Sequence, residues 1–283
     1  MERSCDVIIA NPCGRTGETV AASLERGGIR TLIIEGPSAR KDPSGYLRAL
    51  HKAVAETGAE MIIPVFFPEV LAAHREEFPG ITIALDSAEK LEMLDNKVSA
   101  CGLAAQLGIP QPRIFSSPDE VDRYPVVFRR PSGQGGDSVY FPRSRRALEN
   151  LLRTAPEGII TAYMEGDDIS VDALRWDGFF HAAAYKVLEP KGKGVSRRRV
   201  SIEAPELVEH VRRLLDHVDY KGVCGVDFRD SFFLECNPRF SGGLESAIAS
   251  GFDIPLLLYR LAHSGRPDPD AISFTPGVVT GNI

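Results

Sequence analysis

The chain has 283 residues, 43% of them hydrophobic and 25% charged, with a formal net charge of −6. That length accommodates roughly two domains with proper cores, and the mixed-sign, mildly acidic balance argues against a nucleic-acid-binding surface. No apolar run approaches the ~20 residues of a membrane span, no signal-peptide core precedes the first strand-like run, and five scattered cysteines give neither paired metal-ligand spacing nor a disulfide framework, so a cytoplasmic protein without membrane or nucleic-acid partners is expected.

From the N-terminus, Val7–Ala10, Thr31–Ile34, Met61–Val65 and Ile81–Ala84 are apolar runs of buried-strand length. Helical stretches at Thr16–Arg26, Tyr46–Glu56 and Glu69–Glu77 separate them. Strands alternating with helices predict a parallel, doubly wound sheet over residues 1–86. The turn 11–17 has Gly14 and Gly17 but lacks the full G-x-G-x-x-G pattern, so tight turn geometry explains its glycines better than a dinucleotide site. Helices over Ser87–Leu94 and Lys97–Leu107, stopped by Gly108-Ile-Pro110, form a linker over 87–115.

From residue 116 the pattern becomes α+β. Val126–Arg129 reads as a strand paired with Val139–Phe141, and Ile159–Tyr163 as one grouped with Ile169–Arg175 and Phe179–Leu188. Helices are expected at Ser144–Arg153 and Pro205–Val218. A small lid unit is placed at 116–165, and a metal- and substrate-binding unit at 166–283. The loop Pro131-Ser-Gly-Gln-Gly-Gly-Asp-Ser138 carries glycines at 133, 135 and 136, whose backbone N–H groups suit phosphate oxygens. Arg129 and Arg130 precede it and face opposite sides of a strand, so only one can reach a ligand there. In 163–172, Asp168 is placed to accept from a sugar diol, while Asp167 and Asp172 read equally well as solvated turn acids. The basic run Lys191–Arg199 is read as a solvated loop or a flap over phosphates.

The strongest signal lies near the C-terminus. In Gly225–Asn237, Val226, Phe228, Leu234 and Cys236 alternate with Asp227, Glu235 and Asn237. This is the two-residue period of a hairpin with an apolar and a polar face. A three-residue loop centred on Ser231 would set Asp227 directly across from Glu235; a two-residue loop would leave them diagonal. Two carboxylates and an amide oxygen form a hard-oxygen set suited to Mg²⁺, and apposed carboxylates call for a cation. Arg239 lies two residues on, on the same side if the strand stays extended. No nucleophile–base pair is evident, and Cys236 falls on the apolar face.

Taken together, these residues resemble the ATP-grasp superfamily, in particular the branch of the carbamoyl-phosphate synthase large subunit and related carboxylate–amine ligases. The similarity covers nearly the whole chain, and Glu235-Cys-Asn-Pro-Arg239 with Ser241-Gly-Gly243 is its specific element. It implies a parallel-sheet pre-ATP-grasp α/β domain followed by an α+β ATP-grasp fold. It further implies that Lys97 reaches the nucleotide phosphates, with Arg130, Gly133, Gln134, Gly135 and Gly136 in the phosphate-clamping strand and lid. Tyr163 and Met164 belong to the adenine-reading edge, Asp168 holds the ribose, and Asp227, Glu235 and Asn237 bind Mg²⁺, with Mn²⁺ as an alternative. Arg239 contacts the transferred phosphate. Arg130-Pro131 replaces the usual Lys-Pro, and Thr161 stands where an acid or Gln is common. The chain also ends sooner after the metal motif than in many relatives. The implied activity joins a small carboxylate to an amine through an acyl phosphate; phosphorylation of bicarbonate or carbamate, and nucleotide binding without turnover, are the alternatives. A homodimer is the default expectation.

Overall fold

The computed structural model describes residues 4–10, 14–131, 139–192, 195–267 and 271–281, with the side chains of 190–197 also outside the description. The first strands are β1 Val7–Ala10, β2 Thr31–Ile34, β3 Met61–Pro64 and β4 Thr82–Ile83, ordered β2-β1-β3-β4 and wholly parallel. Helices α1 Arg15–Arg26, α2 Pro43–Thr57 and α3 Pro68–Ala73 connect them, as the alternation predicts. The expected third helix is shorter than Glu69–Glu77: it stops at Ala73, and 75–77 form a separate 3-10 turn.

Two linker helices follow, α4 Ala88–Asp95 and α5 Lys97–Gln106. Ser87 Oγ accepts from the Lys90 N–H, and Asn96 Oδ1 accepts from the N–H groups of Val98 and Ser99. These side-chain caps satisfy donors that a helix start leaves open. Asn96 thereby fixes Lys97 as the first helical residue, turned inward at 4% exposure.

A small sheet follows, of β5 Ile114–Phe115, β6 Val126–Arg129, β7 Val139–Tyr140 and β8 Ile159–Ala162, ordered β5-β8-β6-β7 and backed by α6 Arg145–Thr154. This corrects the sequence grouping in one respect. The strand at 159–162 pairs with β6 and β5 rather than with the strand beginning at 168. The segment 163–167 leads from one sheet to the other, so adjacency in sequence is not adjacency in a ladder. The residues Ile114–Phe115, expected in the linker, also contribute to this sheet.

The large sheet holds β9 Asp168–Trp176, β10 Phe179–Gly192, β11 Val195–Ile202, β12 Gly222–Arg229, β13 Phe232–Asn237 and β14 Val279–Gly281. Their order is β13-β12-β9-β10-β11-β14, antiparallel throughout. One face carries Val171, Ala173, Ala184, Cys224, Val226 and Phe228, buried with Leu207, Val211 and Leu214 of α7 Pro205–His217. The other face packs Leu174, Tyr185 and Val223 against α8 Leu244–Ala249 and α9 Ile254–Ser264, and bears the polar site nearer β13. The same apolar clusters run into the N-terminal sheet, so the two share core. Among the described residues no helix is long and apolar enough to cross a membrane.

Candidate functional site

The register of the large sheet lines the polar residues up in rows. Glu235 lies opposite Asp227, Asp227 opposite Ser170, and Ser170 opposite Tyr185. In the next row Asn237 faces Gly225, and Gly225 faces Asp172. Because side chains alternate across a strand, all of these project from one face.

The hairpin reaches this register by a route that alternation does not disclose. Arg229 pairs with Phe232, so the loop is the two residues Asp230-Ser231, with Asp230 at φ 49°. A two-residue loop by itself would leave Asp227 and Glu235 diagonal. A bulge restores direct opposition, because Phe228 pairs with Phe233 and Asp227 with Glu235, leaving Leu234 extra. Phe233 is therefore the fully buried residue and Leu234 only half-buried, correcting the assignment of Leu234 to the apolar face. Cys236 does face the core, its Sγ 3.0 Å from Cys224 Sγ.

The tip of the hairpin is tied to the 166–168 turn. Asp230 Oδ1 accepts from the Asp167 N–H at 2.8 Å, and the Asp230 N–H donates to Asp167 O at 2.8 Å. Gly166, at φ 138°, allows this approach, since a Cβ there would overlap the Asp230 carboxylate. Asp168 is thereby placed beside Arg229, with which it pairs at 2.8 Å.

At the centre, Ser170 Oγ donates to Asp227 Oδ1 at 2.8 Å and Asn237 Nδ2 to Asp227 Oδ2 at 3.2 Å. Burial first, then the neighbouring Glu235 charge, push the Asp227 carboxyl up to about 6. Lys97 Nζ lies 3.2 Å from Glu235 Oε2. The extended backbone does not persist beyond Asn237, since the Arg239 N–H donates to Asn237 O at 2.8 Å. The guanidinium nevertheless returns to the site: Arg239 Nη2 donates to Asn237 Oδ1 at 3.0 Å, above the Phe66 ring at 5.2 Å. Asp95, at the end of α4, belongs to the same cluster; burial raises its carboxyl, and Lys97 and Arg239 oppose the rise.

The paired arginines divide unequally. Arg130 is exposed, whereas Arg129 is 4% exposed and donates from Nη1 to Leu234 O at 2.5 Å. Its Nε and Nη2 are buried without hydrogen-bond partners among the described residues. Arg129, not Arg130, is the arginine turned towards the hairpin. The Lys97 N–H also donates to Pro131 O at 3.0 Å, tying the segment after β6 to the start of α5. Gly133, Gln134, Gly135 and Gly136 lie outside the described residues. Tyr163 is exposed in the β8–β9 connection with Met164 half-buried beside it, and the Tyr163 ring meets Phe141 edge-on at 6.0 Å.

For two residues that the sequence leaves open between a solvated and a site role, the solvated reading fails. Asp172 is 2% exposed in mid-strand, and Arg199 is 9% exposed on β11. Alternation with Val171 and Ala173 is the available signal for Asp172; Arg199 is hidden in a run of three arginines. Asp95 and Phe66 carry no sequence signal, because only the fold brings them to Arg239.

The arrangement fits Mg²⁺ with a polyphosphate. Asp227, Glu235 and Asn237 offer hard oxygen donors; burial first and the Glu235 charge second raise the Asp227 carboxyl, and a cation would offset both. The orphaned buried N–H groups of Arg129 suit an anion.

Residues 154–280 match the family described as ATP-grasp in the biosynthetic pathway with Ter operon. The chain is 32% identical over 179 residues to a 5-formaminoimidazole-4-carboxamide-1-(beta)-D-ribofuranosyl 5'-monophosphate synthetase from Pyrobaculum neutrophilum, an alignment covering 56% of this chain and 50% of that protein. The chain thus spans about half the length of the curated relative it matches. Among solved structures, biotin carboxylase from Campylobacter jejuni superposes with a TM-score of 0.77 at 14% identity, over 95% of this chain and 74% of the other. An L-amino acid ligase from Bacillus licheniformis does so with a TM-score of 0.70 at 15% identity, over 97% and 78%. At those identities the likeness is one of fold.

Proposed function

We propose that this chain, which belongs to the ATP-grasp superfamily, is an ATP- and Mg²⁺-dependent carboxylate–amine ligase that works through an acyl phosphate and releases ADP and phosphate. The observation that carries this reading is the Asp227–Glu235 pair set face to face, with Asn237 beside it and Lys97 and Arg239 on its flanks. The name of the Pyrobaculum relative, a synthetase, supports ligation as the reaction class.

Asp227, Glu235 and Asn237 would hold Mg²⁺, which when bound neutralises phosphate charge. Lys97 and Arg129 supply two buried cations for the γ-phosphate. Phosphoryl transfer to a carboxylate oxygen needs in-line positioning and charge stabilisation rather than a protein nucleophile. Arg239, steadied by Asn237 Oδ1 and the Phe66 face, is suited to the acyl phosphate formed by that transfer. Attack by an amine then expels phosphate and leaves the amide. Tyr163 and Met164 belong to the segment proposed for adenine, and Asp168 to the ribose, which must then compete with Arg229 for the carboxylate.

The test is ADP release across a panel of carboxylates, bicarbonate included, each paired with amines. Release that depends on one carboxylate and one amine, with an amide as product, is expected. Release with bicarbonate alone, or none with any pair, overturns the ligase reading.

A further inference from the structure

Two thiols meet behind the candidate site. Cys224 of β12 and Cys236 of β13 are both free and 2% exposed, with their Sγ atoms 3.0 Å apart. They are not directly opposite each other. Cys236 pairs with Val226 in the ladder, so Cys224 is its diagonal neighbour. Cys236 also lies between Glu235 and Asn237, and Cys224 precedes Gly225, which pairs with Asn237. Movement of the sulfur pair is therefore passed directly to two of the proposed Mg²⁺ ligands.

The diagonal placement decides what a bond between them does. Diagonal neighbours in an antiparallel ladder have Cα atoms ~7–8 Å apart, whereas a disulfide usually spans about 4.4–6.8 Å between Cα atoms. The sulfurs are close enough to react, but the backbone has to shift for the bond to close. β12 is held between β13 and β9, and β13 is the edge strand of the sheet. The outer edge of β13 is anchored on the tip side of Cys236, where the Phe233 N–H donates to Pro110 O at 2.7 Å and Leu234 O accepts from Arg129. The bulge at Leu234 already interrupts the ladder there. β13 is thus the strand that yields, and drawing it towards Cys224 takes Glu235 out of register with Asp227.

We propose that Cys224 and Cys236 form a reversible thiol–disulfide switch that, when oxidised, takes apart the Asp227–Glu235–Asn237 set. Hydrogen peroxide, small and uncharged, is the oxidant that suits a buried pair. One sulfur attacks peroxide: an S–O bond forms, the O–O bond breaks, and the thiol proton leaves with the departing oxygen as water. The second thiol attacks the resulting sulfenic acid: the S–S bond forms, the S–O bond breaks, and a second water leaves. The sulfurs lose two electrons in all, and peroxide is reduced to water. While β13 is seated, the Cys224 contact and then burial hold the Cys236 thiol protonated and unreactive. Oxidation therefore proceeds through local opening of the edge strand, and a ligand that pins Glu235 and Asn237 to Asp227 opposes it.

The inference rests on the metal reading of the hairpin, and its test separates the two. Reduced wild type is treated with hydrogen peroxide, quenched with catalase, and examined by peptide mass mapping and by calorimetry with Mg·ADP. A peptide cross-linked through Cys224 and Cys236 is expected, with Mg·ADP affinity at least about tenfold weaker and restored by dithiothreitol. Saturating Mg·ADP during the treatment should slow cross-linking at least about tenfold. Cys224→Ala and Cys224→Ser should each bind Mg·ADP within about threefold of wild type and keep that affinity after peroxide.

The switch is overturned, with the metal reading left standing, by the absence of the cross-linked peptide or by a cross-linked protein that binds Mg·ADP as the reduced one does. Cross-linking at the same rate with and without Mg·ADP overturns it too, as do Cys224 variants that lose affinity on oxidation as wild type does. Reduced wild type that binds no Mg·ADP sinks the metal reading and the switch with it.

Discussion

The β12–β13 hairpin and the end of strand β6 each present charged residues to the candidate site, and they differ in how far their sequences disclose it. In β12–β13 the acids alternate with apolar residues, so the order of residues alone names the polar face. At the end of β6 the two candidates, Arg129 and Arg130 just after it, are identical neighbours, and periodicity assigns them to opposite faces without saying which is which. The fold buries Arg129 and exposes Arg130. Contrast along the chain reveals orientation; a run of like residues conceals it.

Removing a proposed metal ligand should sharpen that difference most. Glu235→Ala strips a carboxylate from the hairpin and leaves Lys97, 4% exposed, without it. Substrate-dependent ADP release should fall by about 10³-fold, at the upper end of the range seen when preorganised charge is lost at a transition state. Near-normal release would break the metal assignment. The lid arginines come next. Arg129→Ala should lower kcat by roughly 10²-fold and Arg130→Ala by less than about threefold. The reverse ranking, measured in the same ADP assay, would show that the strand presents its other face during turnover.

The residues that were legible share a property: their partners lie on the same strand or its neighbour. Asp227, Glu235 and Asn237 follow from alternation, and Lys97 from the family pattern. The parallel N-terminal sheet follows from its regular spacing of apolar runs. What stayed hidden depends on packing between distant segments. Arg199 and Asp172, on strands with β10 between them, both reach the Ser241–Gly243 turn, and Phe66 reaches Arg239 from the connection after β3. The bulge at Leu234 was also invisible, because Phe233 and Leu234 are both apolar and either could have filled the core position.

That ambiguity yields a smaller, sharper prediction for stability. Phe233 is fully buried and packs edge-on against Phe228 at 6.1 Å, so Phe233→Ala should cost about 3–5 kcal/mol. Leu234 contributes chiefly its carbonyl, which Arg129 uses, and Leu234→Ala should cost less than about 1 kcal/mol because the backbone acceptor survives. Denaturant midpoints of the two variants decide the register. Equal losses, or a larger loss at Leu234, would place the extra residue elsewhere in the hairpin.

The smallest effect is a pH dependence, and its sign follows from one carboxyl. Asp227 in the folded protein is raised to about 6, by burial and then by Glu235, whereas an unfolded aspartate titrates near ~3.9. The native state therefore binds this proton more tightly than the unfolded chain does. The cost of holding Asp227 ionised is present above pH ~6 and is relieved as pH falls from about 6 towards about 4. Without metal or nucleotide, Asp227→Asn should be more stable than wild type near pH ~7.5, and the gap should close on acidification through that window. Saturating Mg·ATP should reverse the order at the higher pH, since only wild type keeps the full ligand set and binding stabilises the state that binds. Thermal melts of the two proteins at the two pH values, with and without Mg·ATP, provide the measurement. A gap that widens on acidification would mean that the Asp227 carboxyl is held low by partners rather than raised by burial and by Glu235, and the hairpin would lose its electrostatic reason to bind a cation.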